Sequence, residues 1–399
     1  MSKMELNSSY VETSRGLEEA CLRLSDAPVL CIDTEFHREK SFYPQLGLIQ
    51  VGSDSACYLI DPLAIPDLDI FWQLLHDPAH LKVFHAGRQD IEIVLRASGA
   101  IPSPLFDTQL AAALLGLGEQ ASLAKLVNLI LGEFLPKEET YSDWISRPLT
   151  ANQITYAASD VIYLMPVYKE LNNRLLASNR APWLQEEQNE LYSAATYEPE
   201  DSTSLQRVRG TNGLSRHQLA ILRSLASCRE RIARQRNKPR RHLISDEVLT
   251  SLARMHNPDP LSLQHLRGLP KPVLKNFTDE LLHAWREGYD CPQSDWPQPR
   301  QSRPRNSGIN LRAEMLSALV RFKADKEKIA AMLLAKKSDL VELASWAGSP
   351  VDPLPEIPCM QGWRKEVVGE DLLRLLRGEI SLRLDPESGL PVLDENCVY

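Results

Sequence analysis

The sequence predicts an α/β domain, a mixed β-sheet with helices packed on it, followed by two smaller all-α units. Three observations predict this. In the first half, short apolar runs bounded by turn residues alternate with segments of helical spacing. Beyond residue 212 helical spacing dominates until a short tail. The charge divides in the same way: of a formal net −8, residues 1–195 carry 14 Lys+Arg against 26 Asp+Glu, whereas residues 212–290 carry 14 against 8. An acidic unit and a basic unit thus share a chain of 399 residues, longer than one ordinary domain.

Val29–Ile32 is an apolar run ending in Asp33 and reads as a buried strand. Gly47–Gly52 and Ala56–Ile60 read as two more strands separated by the turn triplet Ser53-Asp54-Ser55. Ile70–Leu75 reads as a helix, Leu81–Phe84 as a strand and Asp90–Ala97 as a helix. Asp107 opens a helix through Leu115, and Leu123–Leu131 is another. Thr150–Asn173 has an apolar face through Ile154, Ala157, Ala158, Val161, Ile162 and Leu164, the pattern of a long amphipathic helix. Glu186–Arg209 is polar, a helix end followed by a linker.

Helices follow at Ser215–Gln235, Ser245–Arg254, Ser262–Arg267 and Pro272–Glu287. Cys291–Asn306 holds four prolines in 16 residues and reads as a spacer. Leu311–Leu334, Ser338–Trp346 and Glu370–Arg377 form a second helical unit, and the tail from Ser381 is strand-like or irregular. The divisions are therefore 1–195 for the α/β domain, a linker at 196–211, 212–290 for the basic helical domain, a linker at 291–306, 307–385 for the second helical domain and 386–399 for the tail.

Composition excludes several classes. The longer apolar runs, such as Leu110–Leu117 and Ile329–Ala335, fall far short of the roughly 20 residues that a membrane helix needs. The first 20 residues carry early acids and no apolar stretch, so no secretory signal is expected. Seven scattered cysteines without a CxxC pair argue against a disulfide framework and a zinc module, and a reducing cytoplasm is expected.

The chemistry begins at Cys31-Ile-Asp-Thr-Glu-Phe36. Acids at i and i+2 of a strand point to one face, so Asp33 and Glu35 can approach one cation. At an effective dielectric of 20, two carboxylates 4 Å apart repel by about 4 kcal/mol, a cost that a cation would offset. Asp90 follows a strand and a glycine turn in Phe84-His-Ala-Gly-Arg-Gln-Asp90. Tyr156 and Asp160 are spaced i, i+4, which puts phenol and carboxylate on one helix face beside the apolar stripe. Each piece alone has a plain structural account: a solvated turn, a helix N-terminal charge or a surface helix.

Taken together and in this order, Asp33-Glu35, Asp90 and Tyr156-Asp160 resemble the three motifs of the DEDD 3′→5′ exonucleases, in the subgroup with tyrosine. Phe42-Tyr-Pro-Gln-Leu-Gly-Leu-Ile-Gln50, His85-Ala-Gly87, Phe106-Asp-Thr-Gln109, Trp144, Arg147-Pro-Leu149 and Gln153-Ile-Thr-Tyr-Ala157 are similar to the ribonuclease D family. The resemblance spans roughly residues 25–175. It implies a ribonuclease H-like exonuclease domain in which Asp33, Glu35, Asp90 and Asp160 hold two Mg²⁺ or Mn²⁺ ions. Tyr156 would orient the attacking water, and nucleoside 5′-monophosphates would leave from a free 3′ end. The implied substrates are RNA, in particular tRNA precursors and other small structured RNAs.

The remaining polar residues divide less sharply. Asp107 reads as an N-cap rather than a ligand. His85 fits substrate contact and structural hydrogen bonding equally. His76 and His80 read as a loop pair, with Pro78 between them. Phe36 could stack on the terminal base or belong to the core, and Arg147 and Lys40 are possible phosphate contacts. Arg229, Arg231, Arg234, Arg236, Lys238, Arg240 and Arg241 fall within 13 residues, a density that suits counterion release on RNA.

Leu214–Gly288 resembles an HRDC domain through Leu219-Ala-Ile-Leu222, Arg229-Glu-Arg-Ile-Ala233, Asn237-Lys-Pro239, Leu243–Leu249 and Leu266–Leu269. Residues 307–380 resemble a second, diverged copy that lacks the Asn-Lys-Pro piece. With a balance near −1 after residue 290, that copy could shape the assembly or guide substrate as well as bind phosphate. The expectation is a metal-dependent exoribonuclease acting without a membrane, most simply as a monomer. The competing readings are a DNA 3′→5′ exonuclease with the same acids and a non-catalytic RNA-binding protein.

Overall fold

A central strand runs through the acidic motif. The structure, a computed structural model, describes residues 8–135, 139, 142–197, 201–298, 307–347 and 353–395. Parts of the expected linkers and tail, residues 198–200, 299–306 and 396–399, lie outside the described residues. The elements in order are β1 (Ser9–Val11), α1 (Ser14–Leu24), β2 (Val29–His37), β3 (Gln45–Gly52), β4 (Cys57–Ile60), α2 (Asp69–His76), β5 (Leu81–Phe84), α3 (Arg88–Ser98) and β6 (Leu105–Asp107). Then come α4 (Thr108–Leu114), α5 (Leu123–Leu131), α6 (Ala151–Ala177), α7 (Ala181–Gln188) and α8 (Ala194–Tyr197).

The six strands form one mixed sheet in the order β1-β4-β3-β2-β5-β6. β3 is antiparallel to β2 and β4, while β1 with β4, β2 with β5 and β5 with β6 are parallel. The short Ser53–Ala56 turn permits the antiparallel hairpin, and the helices supply the crossovers that parallel pairs require. β2 does not stop at Asp33. It continues to His37, because β3 pairs with it from Cys31↔Gly52 to His37↔Gln45, with a bulge between Glu35 and Phe36. The two acids therefore lie within the strand rather than at its end.

Alternation along β2 sorts its side chains between two cores. Leu30 and Ile32 join Leu17, Leu24, Phe71, Leu75 and Val94 under α1, α2 and α3. Cys31 faces the other way, into a core with Leu48, Ala157, Val161 and Leu164 of α6. Asp33 and Glu35 inherit the α6 side, and Thr34 the α3 side. α6 starts at a capping box, in which Thr150 accepts from the Gln153 amide and Gln153 reaches back to the Thr150 amide. β1, α1 and β6 were not foreseen; β1 and β6 are only three residues long.

Beyond the sheet lie α9 (Arg216–Arg236), α10 (Arg240–Leu243), α11 (Asp246–Arg254), α12 (Pro260–Gln264) and α13 (Lys271–Tyr289), built around a core of their own that includes Leu222, Leu225, Leu249, Leu281 and Trp285. The expected linker is partly packed: Tyr197 is buried in the core under α3, and Val208 in that of the basic unit. α14 (Ser307–Glu327), α15 (Ala331–Leu334), α16 (Lys337–Trp346), α17 (Gly362–Arg364) and α18 (Glu370–Leu376) follow, then a β7 (Ser381–Leu384) and β8 (Pro391–Asp394) hairpin.

The single helix expected over 311–334 is broken at Lys328, whose φ of 52° is left-handed. The break lets the chain dock on the α/β unit. Ala330 N donates to Ala113 O, and Arg180 donates to the Glu327 and Lys328 carbonyls. Gly116 is required there, since a Cβ would lie 2.7 Å from the Lys328 backbone. The core behind α6 continues into Leu316, Leu319, Leu340 and Leu343, so the last helical unit shares a core with the α/β unit.

Candidate active site

β2 and α6 bring Asp33, Glu35 and Asp160 together, each with a carboxylate oxygen within 4.8 Å of the others. Tyr156, one helical turn before Asp160, hydrogen-bonds its carboxylate. Asp90, in the first turn of α3, stands outside this group, yet it is close enough for its charge to act on Asp33 and Glu35. It is buried, and it accepts from the Thr34 hydroxyl. The glycine turn that delivers it is tight: a Cβ on Gly87 would sit 2.4 Å from Phe84 Cβ.

All four carboxyls are pushed upward. Burial is the largest cause for each. For Asp33, the next causes are the charges of Asp90, Asp160 and Glu35. Glu35 rises to about 9 by burial and the charges of Asp160 and Asp90. Asp160 rises to about 7, moderated by the Tyr156 hydrogen bond, and Asp90 to about 6, moderated by Thr34. Mutually repelling, desolvated oxygens facing one another are a donor set that fits hard divalent cations.

Asp33 and Asp160 open onto a cavity of about 590 Å³ that His85, Gln109, Gln120 and Tyr156 also line. His85 Nδ1 lies 2.9 Å from the Thr108 hydroxyl, which donates to Phe84 O, and Nε2 is buried. Burial lowers the His85 pKa, against the Asp107 charge and the Ala121 backbone, which raise it. Phe36 is half-buried just past the β2 bulge. Asp107 caps α4, accepting from the Gln109 and Leu110 amides, and also takes the Gly87 amide, so it is an N-cap as expected.

Two arginines expected to meet phosphate are held by partners within the protein. Arg147 donates through Nε and Nη2 to Asp61 at 2.6 and 2.8 Å and to the Gly47, Trp144 and Ser146 carbonyls. It fastens the segment before α6 to β3, where Gly47 is needed because a Cβ would lie 2.6 Å from Trp144 O. Arg229 is 2% exposed and donates to Asp246 at 2.8 Å and to Ile244 O, a buried structural pair. The others reach the surface with partners of their own. Arg240 holds Glu230, Arg241 holds Asp246 and Arg231 lies 3.9 Å from Glu280. Arg234 lies 3.9 Å from Glu230, Arg236 stacks over Phe277, and Lys238 is exposed. Lys40 is exposed in the loop after β2, and His76 and His80 bond Ser98 and the Ala27 carbonyl, as structural residues do.

The roles of Thr34 beside Asp90 and of Asn237 between the two units were not among the expectations. Thr34 gave no signal of its own beyond lying between two acids. Asn237, the left-handed C-cap of α9, accepts the Phe42 and Tyr43 amides and ties the basic unit to the loop after β2.

A mixed sheet whose central strand offers paired acids to a helix bearing tyrosine and aspartate defines a 3′→5′ exonuclease of the DEDD type, and a family model described as 3′-5′ exonuclease matches residues 9–176. An HRDC domain model matches residues 218–284. Ribonuclease D of Acidiphilium cryptum is 38% identical over 380 residues, covering 93% of this chain and 94% of that one. Ribonuclease D of Pseudomonas paraeruginosa is 37% identical over 92% and 97% of the two chains. The crystal structure of Escherichia coli RNase D, an exoribonuclease involved in structured RNA processing, superposes with a TM-score of 0.79 at 32% identity, covering 93% of this chain and 99% of that one. The chain belongs to the ribonuclease D family. It is a metal-dependent 3′→5′ exoribonuclease. No described helix is long and apolar enough to cross a membrane.

Proposed function

We propose that the chain trims extra 3′ nucleotides from tRNA precursors and other small structured RNAs, releasing nucleoside 5′-monophosphates. The observation that carries this reading is the group of three half-buried carboxylates within 4.8 Å, beside a tyrosine, two of them at the wall of a nucleotide-sized cavity. Asp33, Glu35 and Asp160, with Asp90 behind them, would hold two Mg²⁺ or Mn²⁺ ions. When bound, such ions lower the pKa of water and offset charge on the phosphate and the departing 3′ oxygen. Tyr156 hydrogen-bonds the attacking water; a phenol is a poor base near neutrality but a good orienting group. His85, on the wall of the same cavity, contacts the terminal nucleotide.

The basic helical unit holds the body of the RNA while the single-stranded end enters the site, a division that suits RNA read by shape and by its unpaired segments. Six free cysteines among the described residues, five of them buried, suit the reducing cytoplasm. The test is a 3′-extended tRNA incubated with the protein and Mg²⁺ or Mn²⁺, its products resolved by length. Stepwise shortening that stops near the mature end is expected. Internal cuts, or equal digestion of a matched DNA end, would refute the reading.

A further inference from the structure

We infer that the cleft between the α/β unit and the basic helical unit binds the phosphate backbone of single-stranded RNA, upstream of the nucleotide at the carboxylates. The inference rests on the exonuclease reading above and extends it to a surface outside the site.

The cleft has a volume of about 720 Å³. One wall carries Arg38, Arg88 and Arg96, the other Arg207, Arg234 and Arg240. Arg88, Glu92 and Arg96 stand at i, i+4 and i+8 of α3, so they share one face of the helix. Asp90, two residues from Arg88, points away from that face toward Thr34. One short helix thus serves two surfaces, the carboxylate side and the cleft.

Two glutamates organise the guanidinium groups. Glu92 pairs with Arg38 at 3.0 Å and Arg96 at 3.3 Å. Glu230, 2% exposed, receives Arg240 at 2.7 Å, Arg207 at 3.0 Å and Arg234 at 3.9 Å. Among the described residues the lining holds six arginines and two glutamates, and Glu190 meets Arg88 at 3.3 Å from outside. The glutamates hold the arginines in place, and ordered guanidinium groups on both walls of a cleft suit the phosphates of a polyanion.

Aromatic rings favour a nucleic acid over an acidic peptide. Phe42 and Tyr43 line the same cleft, with Arg240 5.2 Å above the Phe42 ring and Arg96 4.1 Å above that of Tyr43. Rings interleaved with guanidinium groups are the usual platform for unpaired bases and their phosphates. The cleft also begins near the chemistry: Arg38 is three residues past Glu35, about 10 Å along an extended chain.

The test compares Arg88→Gln and Arg207→Gln, one from each wall, with the unmodified chain. Binding of trimeric and dodecameric oligoriboadenylates is measured in EDTA across about 50 to 200 mM salt. Each variant is expected to weaken the dodecamer several-fold more than the trimer and to flatten its salt slope by about 0.7 for each phosphate no longer neutralised. Unaltered slopes and affinities in both variants, with unaltered melting temperatures, would overturn the inference. Displacement of the dodecamer by oligoglutamate at lower concentrations than by oligoadenylate would overturn it as well. Adding Mn²⁺ to the unmodified chain separates the two readings. Length-dependent binding without cleavage upholds the cleft and defeats the exonuclease; cleavage with arginine-independent binding does the reverse.

Discussion

Thr34 and Asp90 are hydrogen-bonded across 56 residues, the Thr34 hydroxyl donating to Asp90 Oδ1. The bond exists because β2 alternates: Asp33 and Glu35 face α6, so Thr34 must face α3. Losing it would free the one acid that stands outside the three-carboxylate group. Thr34→Val is expected to raise the Mn²⁺ concentration for half-maximal hydrolysis by about 10–100-fold, as loss of a group supporting a metal ligand does. Thr34→Ser is expected to restore the wild-type metal requirement. A metal titration of RNA hydrolysis checks both.

The carboxylate group trades stability for chemistry. Asp33→Asn and Asp160→Asn each remove a desolvated negative charge that repels its neighbours. Each is expected to lower kcat by about 10³-fold or more. In EDTA each is expected to raise the melting temperature by about 2–4 °C, the effect of about 1 kcal/mol in a domain of this size. Mn²⁺ is expected to stabilise the unmodified chain and to leave the variants nearly unmoved. Calorimetry with and without the metal, beside single-turnover hydrolysis, reads all of this.

The acidic site was legible because its residues sit at spacings that secondary structure converts directly into proximity, i, i+2 on β2 and i, i+4 on α6. The Asp107 cap was legible for the same local reason. What sequence could not give was long-range pairing. Arg147 resembled a phosphate ligand, but Asp61, 86 residues away, holds it. Arg229 belonged to a basic run whose density suited RNA, but the fold turns it inward onto Asp246. The break at Lys328 likewise depends on Ala113 and Arg180, distant partners that helical periodicity ignores.

Arg229 is expected to act on stability rather than on RNA. Arg229→Met leaves Asp246 with only the Arg241 side chain and the Arg209 amide. Breaking a buried pair from one side costs about 3–5 kcal/mol, so the basic unit should melt markedly earlier. Burial alone would raise the Asp246 pKa, but the Arg229 hydrogen bond, the Arg209 amide and the charges of Arg229 and Arg241 hold it below its usual value. A carboxylate lowered on folding adds stability above its unfolded pKa, and that stability is lost as pH falls through the folded one. The deficit of Asp246→Asn relative to the unmodified chain should therefore be constant near neutrality and shrink below about pH 4. Urea unfolding across pH measures it. A deficit that grows on acidification would contradict the assignment.

The last helical unit is expected to support the α/β unit rather than to ride beside it. Trp183 of α7 stacks on Trp363 of α17, with ring centroids 4.7 Å apart and planes at 11°. Trp363 Nε1 donates to Glu187, which also receives Arg364. These residues border the core that runs from Val161 and Leu164 to Leu340 and Leu343. Truncating a buried aromatic costs about 3–5 kcal/mol, so Trp363→Ala should lower the melting temperature of both units together. The basic unit has a separate core and meets the α/β unit through polar contacts at Asn237. Asn237→Ala should accordingly leave the melting of the α/β unit nearly unchanged. Hydrogen exchange resolves the two outcomes: Trp363→Ala should deprotect α6 amides, and Asn237→Ala should not. Equal deprotection by both variants would mean that the two helical units couple to the catalytic fold alike, against the continuity of one core and the separateness of the other.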